Sequence, residues 1–247
     1  MKDNFSIQSD KYARYRPAYP AAFFEYLQTI ITGFDNAWDC GTGNGQVAEK
    51  LARFFKAVYA TDISQKQLDN AIQLPNIYYS LQPAEQTNFK ENFFDLVIVA
   101  QAVHWFNFEK FYAEVNRTAK NNAWIVILGY GKLSISHGLD TILDRFYHDI
   151  VGEYWDKERK YVDEHYQTIP FPFEEIKTPV FRNDYEWALD HVTGYLETWS
   201  AVNHYKKQNG TNPLDLIYSD LKAEWGETDK KIVRFPLLLR IGRIKKG

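Results

Sequence analysis

A chain of 247 residues, 45% hydrophobic and 25% charged, is long enough to bury a full core and too apolar to stay disordered. Its net charge of −3 and pI near 6.1 argue against the broad basic face of a nucleic-acid-binding protein, and no apolar run approaches the ~20 residues that span a bilayer. The single cysteine, Cys40, excludes an intramolecular disulfide, and an N-terminus without an apolar signal core makes a cytoplasmic location the expectation.

In chain order, the first segment carries Tyr12, Tyr15 and Arg16 ahead of Pro17. On a short helix Tyr12 and Arg16 share a face at i, i+4, and Pro17 ends or turns the segment. The guanidinium fork of Arg16 suits a carboxylate, and the plainer alternative is a surface ion pair with tyrosine packing. Phe23, Phe24, Leu27, Ile30 and Ile31 then fall at helical spacing after Pro20. Strand one, Ala37 to Cys40, leads into an acidic residue and three glycines at every second position, Asp39-Cys-Gly-Thr-Gly-Asn-Gly45, and a helix follows from about Gly45 to Phe54. Such a turn lets backbone N–H groups approach a ligand, or it is simply a strand-to-helix connection where glycine takes positive φ. Gln46 stands where a dinucleotide fingerprint has its third glycine.

Strand two, Ala57 to Thr61, delivers Asp62, whose carboxylate suits a ribose diol or caps the helix from Ser64 to about Gln73. Strand three covers Ile77 to Ser80. The continuous apolar run of strand four, Asp95 to Val99, predicts a sheet covered on both faces. A helix from about Phe108 to Thr118 and strand five, Trp124 to Gly129, complete a βαβ alternation that predicts an α/β fold, a doubly wound and mostly parallel sheet with helices on both faces.

After Gly131 the rhythm changes. Leu139, Ile142, Leu143, Phe146 and Ile150 form a helical stripe in a region dense in aromatics, which reads as an insertion of about residues 132–190 roofing the substrate side. Further helical stripes run through Val192, Tyr195, Leu196, Trp199 and Val202, and through Leu214, Ile217, Tyr218, Leu221 and Trp225. Most of Trp155, Trp187, Trp199 and Trp225 are expected in the core. Val233 to Ile241 alternates as a final strand, with Pro236 placing it at an edge or a bulge. No linker or repeat divides residues 1–247, so one domain is expected. The charges at Lys206-Lys207 and Arg240 to Lys246 read as a solvated face.

Asp39-x-Gly41-x-Gly43-x-Gly45 resembles motif I of the class I S-adenosylmethionine-dependent methyltransferases, and Gln82-Pro-Ala-Glu85 and Phe93 to Phe106 resemble their motifs III and IV. Tyr12 to Pro20, His104-Trp105-Phe106 and Tyr195 to Val202 are similar to a subgroup of trans-aconitate methyltransferase-like small-molecule enzymes. The resemblance implies a seven-stranded Rossmann-like sheet, with S-adenosylmethionine as cofactor held by Asp39, Gly41, Thr42, Gly43, Asn44, Asp62 and Ile63. The backbone at Ala84 and Glu85 would meet the adenine and Gln101 the methionine end. Residues 1–20 would close as a lid, with Tyr12 at the cofactor, Arg16 on the carboxylate of the cofactor's methionine or of an acidic substrate, and Tyr15 and Trp105 at the substrate. The implied partner is a small-molecule methyl acceptor, a carboxylate or hydroxyl, rather than nucleic acid or membrane. Transfer is an in-line displacement, in which alignment alone can contribute on the order of 7–11 kcal/mol.

His104 follows strand four on the side where open α/β sheets bind ligands. It is the candidate general base or acceptor-orienting group, and its alternative is a structural histidine beside Trp105. The other histidines lack paired ligand spacing, so no metal is expected. Two other classes stay open: a methyltransferase acting on protein or nucleic acid, and a nucleotide-binding protein or dehydrogenase of similar βαβ build. The absence of an Asp/Asn-Pro-Pro-Tyr/Phe motif after strand four counts against a DNA amino-methylating enzyme, and Gln46 counts against a dehydrogenase.

Overall fold

The computed structural model describes residues 14–246, so Tyr12 lies outside the described residues. The elements follow in order as α1 (Ala21–Ile30), β1 (Asn36–Cys40), α2 (Gln46–Leu51), β2 (Ala57–Asp62), α3 (Gln65–Asp69), β3 (Ile77–Leu81), β4 (Phe94–Ala100), α4 (Phe108–Thr118) and β5 (Ala119–Tyr130). Then come α5 (His137–Arg145), α6 (Lys160–Asp163), β6 (Glu174–Glu175), β7 (Asp184–Trp187), α7 (Leu189–Glu197), α8 (Ser200–Asn209), α9 (Tyr218–Trp225), β8 (Lys231–Arg234) and β9 (Leu237–Arg243).

Seven strands form one sheet in the order β3-β2-β1-β4-β5-β9-β6. β1 to β5 are parallel neighbours and β9 runs antiparallel between β5 and β6. This is the expected Rossmann-like, mostly parallel architecture. Beyond Asp95, which accepts from Asp35 N, Asn36 N and Lys120 Nζ, β4 is apolar because both its faces are covered: Val97 and Val99 pack with Trp38 and Phe111 on one side, while Leu96 and Ile98 pack with Phe23, Leu27 and Leu51 on the other. The helix starts obey local chemistry. Ser64 Oγ accepts from Gln67 N and Asn107 Oδ1 from Lys110 N, satisfying N–H groups that a first turn leaves without partners. Asp62 is therefore not the cap of α3.

A third apolar core stands apart from the sheet, built from Leu133 to Val151 and from Trp187 to Phe235, with β7 and β8 pairing as a two-stranded sheet on it. It runs past residue 190, whereas Val162, Tyr166 and Ile169 pack back on the main sheet. Two expected elements are interrupted. The stripe from Val192 to Val202 divides into α7 and α8 around Thr198 and Trp199, and the final strand divides at Phe235-Pro236. Pro236 has no N–H for a ladder, so β8 serves the small sheet and β9 the large one, where Gly131 N donates to Pro236 O. Arg240 is also not part of a solvated face. It is buried, with Nε and Nη2 donating to Glu175 and Nη1 to the carbonyls of Tyr166 and Ile169, which ties β6 to β9. Among the described residues no helix is long and apolar enough to cross a membrane.

Candidate functional site

β1 and β4 are neighbours whose outgoing connections lead to opposite sides, and the crevice beyond their carboxyl ends is where open α/β sheets take ligands. A cavity of about 1020 Å³, counting its open mouth, lies there. Strand ends supply Asp39, Gly41 to Asn44, Asp62 and Ile63, Gln101 and Tyr130; Ala84, Trp105 and Arg16 complete the wall among the expected residues. Glu85 is not among the residues lining it, and its side-chain Oε1 accepts from Asn107 N. Tyr15 also lies away from it, edge-on to His191 and against Gly194.

The glycine turn is shaped by its neighbours. Gly41, Gly43 and Gly45 all have positive φ. A Cβ on Gly41 would stand 2.6 Å from that of Ala102, and one on Gly45 would stand 2.2 Å from Tyr79 Oη, whereas one on Gly43 would meet nothing within 4 Å. The turn is thus packed on two sides and open on the third, toward the cavity. Asp62 braces it, with Oδ2 accepting from Gly43 N at 2.9 Å and Oδ1 from Ser64 N at 2.9 Å.

Asp39 is fully buried at the floor. Its Oδ2 accepts from Thr42 Oγ1 at 2.6 Å, and Oδ1 has no hydrogen-bond partner among the described residues. Burial pushes its pKa up to about 7, only partly offset by the Thr42 hydroxyl and the backbone at Ala48. A carboxyl group raised in this way stabilises the fold fully below its ordinary value, and that stabilisation is lost as pH rises through the folded value. Asp39→Asn keeps an acceptor for Thr42 and removes the charge. Its advantage over the unsubstituted, cofactor-free protein is therefore expected to widen by on the order of 2 kcal/mol between pH 5 and 8, read from denaturant melts. A pH-independent difference would mean that the carboxyl group is not held protonated. Burial also pushes the Cys40 thiol up, so it stays protonated and is no nucleophile.

A second cavity of about 490 Å³ adjoins the first and shares Arg16, Gln101 and Trp105 with it. His104, Trp155, Arg159 and Trp199 line its remainder. His104 therefore faces this cavity rather than the glycine turn. Its ring is tilted against Trp105 and its Nδ1 is 3.4 Å from Tyr166 Oη. Burial, with the Arg159 charge nearby, pushes the imidazole down to about 3, so it does not titrate near neutrality as an exposed histidine would. Gln101 sits at φ 55 with Nε2 donating to Tyr130 O, a left-handed conformation that costs on the order of 1–3 kcal/mol and clusters at working sites. Arg16 donates to Tyr130 Oη and to Thr198 O, pinning its segment to both β5 and the aromatic cap. Sequence reasoning missed Tyr130, Trp155, Arg159 and Trp199. The strand-end rule that finds Gln101 would also find Tyr130, but no local pattern marks the other three.

An orphaned carboxyl oxygen at the floor, a glycine with open space above it and an acidic residue at the end of β2 fit a nucleoside carrying a positively charged amino-acid tail. The comparisons agree. Residues 38–127 match a family model described as a methyltransferase domain. Across 249 aligned residues the chain is 31% identical to a Dictyostelium discoideum protein with a provisional methyltransferase name, covering 98% of this chain and 95% of that one. It is similar to the structure of a provisionally named type II methyltransferase from Anaeromyxobacter dehalogenans at 37% identity and a TM-score of 0.86, with 94% and 99% of the two chains covered. A Haemonchus contortus phosphoethanolamine N-methyltransferase in complex with S-adenosyl-L-methionine shares the fold at 16% identity and a TM-score of 0.51, over 98% of this chain and 57% of that one. With its glycine turn, sheet order and relatives in agreement, the chain belongs to the class I S-adenosylmethionine-dependent methyltransferases.

Proposed function

We propose that the protein methylates a small-molecule acceptor held in the second cavity. The observation that carries this reading is the position and lining of that space, about 490 Å³ counting its open mouth: it adjoins the cofactor cavity and is lined by Trp105, Trp155 and Trp199. Apolar aromatic walls with a few polar groups among them, here His104, Arg159 and Gln101, are the usual lining of a small-ligand site. The likeness of His104 to Phe106 and of Tyr195 to Val202 to the trans-aconitate methyltransferase-like subgroup supports the same reading, since Trp105 and Trp199 from these segments line the cavity.

S-adenosylmethionine, when bound, supplies a methyl group on a cationic sulfonium. Asp62 would accept from ribose hydroxyls, Gly41 to Asn44 would bring backbone close to the ligand, and Ala84 would lie at the adenine. Asp39, at the floor, would compensate positive charge, and a cationic neighbour would draw its carboxyl group back to the ionised form. Arg16, Gln101 and Trp105 border both cavities and would align acceptor with donor while excluding water.

Calorimetric titration with S-adenosylmethionine, S-adenosylhomocysteine and NAD in parallel tests the reading, followed by an acceptor screen that begins with small carboxylates and phenols. Binding of the first two without NAD, and turnover of a small acceptor, is the expected result. Methylation confined to protein or nucleic acid would overturn the small-molecule assignment.

The imidazole of His104 is neutral throughout the working range, so its role is to orient the acceptor by a hydrogen bond. His104→Ala is expected to leave cofactor affinity within about twofold and to lower turnover by roughly 10- to 100-fold, in line with the loss of one positioned hydrogen bond. The pH profile of kcat/KM should show no inflection from His104 between pH 5 and 8. An inflection in that window that vanishes in the variant would identify a titrating base instead.

A further inference from the structure

Arg159 lies in the turn Lys157–Arg159 just ahead of α6, and its side chain is pinned along one edge. Nε donates to Tyr147 Oη at 2.7 Å and to Asp163 Oδ1 at 3.2 Å, and Tyr147 Oη in turn donates to Asp163 Oδ1 at 2.6 Å. The guanidinium carbon stands 4.7 Å from the ring centre of Trp155 and 5.4 Å from that of Tyr147. Nη1 and Nη2 have no hydrogen-bond partner among the described residues, and Arg159 lines the second cavity. The planar fork is therefore held rigidly by one edge while its terminal pair of nitrogens is left for whatever enters.

The surroundings decide what that is. His104 across the cavity carries no charge, and Arg16 adds a second cation whose Nη groups are engaged with Tyr130 and Thr198. Among the described residues Asp156 is the one carboxylate lining the cavity, 4.0 Å from His204 Nδ1, and Asp163 pairs with the Nε edge of Arg159. Trp155, half-buried, offers an apolar face, and the buried Trp199 packs against it with ring centres 5.3 Å apart. A guanidinium that presents two parallel donors to a cavity is a receptor for an oxyanion and repels an ammonium group.

We propose that the acceptor carries an oxyanion, a carboxylate or a phosphate, gripped by Nη1 and Nη2 of Arg159, with a planar or apolar body against Trp155. This rests on the second cavity being the acceptor pocket of a methyltransferase. Arg159 is then the residue that selects acidic acceptors over neutral and cationic ones.

The test is titration of the S-adenosylhomocysteine-saturated protein with benzoate, phenyl phosphate and the neutral isostere benzamide, followed by ligand-detected NMR. At least one anion should bind about 10-fold or more tighter than benzamide, and the tighter of the two identifies the oxyanion. Arg159→Gln should weaken anion binding by about 10- to 100-fold, the range for a charge-assisted bidentate contact, with Arg159→Lys in between and S-adenosylhomocysteine affinity unchanged. If Arg159→Gln fails to melt cooperatively, Tyr147→Phe serves in its place. That variant removes one acceptor from the braced edge and should weaken the anion by about threefold to 10-fold. Benzamide binding as tightly as the anions, no binding of any probe, or anion affinity indifferent to both substitutions would each overturn the proposal. Retained S-adenosylhomocysteine binding in such a case leaves the methyltransferase reading standing. Anion binding at Arg159 in a protein that takes no S-adenosylhomocysteine would sink that reading and keep the subsite.

Discussion

Asp62→Ala is expected to weaken S-adenosylhomocysteine binding by about 30- to 150-fold, corresponding to a loss of roughly 2–3 kcal/mol. Two effects combine. The carboxylate at the end of β2 is placed for a ribose diol, and hydrogen bonds to a charged acceptor are worth about 1.5–3 kcal/mol each. It also holds Gly43 N and Ser64 N, so alanine releases the glycine turn from its brace. Asp62→Asn keeps one carbonyl acceptor and should fall between the two. Calorimetry on folded samples decides it: affinity within about threefold of the unsubstituted protein would leave Asp62 as a brace alone.

Gly41→Ala and Gly43→Ala should fail in opposite ways, although both glycines have positive φ in one turn. At Gly41 the new Cβ would lie 2.6 Å from Ala102 Cβ, an atom rooted in backbone that cannot swing aside. Backbone strain of about 1–2 kcal/mol and overpacking of about 1–3 kcal/mol add to a destabilisation of roughly 2–5 kcal/mol, seen as a lower melting temperature even without ligand. At Gly43 nothing lies within 4 Å of the added methyl group, so only the backbone strain remains and the fold should survive with about 1–2 kcal/mol lost. That methyl group would stand in the space above the turn, and S-adenosylhomocysteine affinity should drop by about 10-fold or more. Equal melting temperatures for the two variants, or unimpaired binding by Gly43→Ala, would show that the open side of the turn is not the ligand side.

The sheet and the turn were legible in local pattern, and the cofactor class followed from the family resemblance that the turn carries. Continuous apolar runs such as β4 identify strands covered on both faces, and alternate glycines after Asp39 permit a turn that a side chain would block. Asp62 closes β2 whatever the rest of the chain does, at the position that the resemblance assigns to a ribose. Element ends were less legible where chain direction changes: Pro236 divides a strand that its period-two pattern makes continuous, and the split between α7 and α8 at Thr198-Trp199 lies inside an unbroken helical stripe.

The second cavity and the state of the buried ionisable groups come from packing between distant segments. His104, Arg159 and Trp199 come from three distant segments and meet only because the aromatic cap folds over the carboxyl ends of the strands. The same burial moves Asp39 up to about 7 and His104 down to about 3, giving each a protonation behaviour that its residue type does not foretell. Glu85 and Tyr15, expected at the site, stand outside the cavity linings, the Glu85 side chain bonded to Asn107 N and Tyr15 packed against His191. Backbone pattern is a short-range property, whereas desolvation and the convergence of side chains depend on every element packed around a point, and no stretch of sequence contains that information.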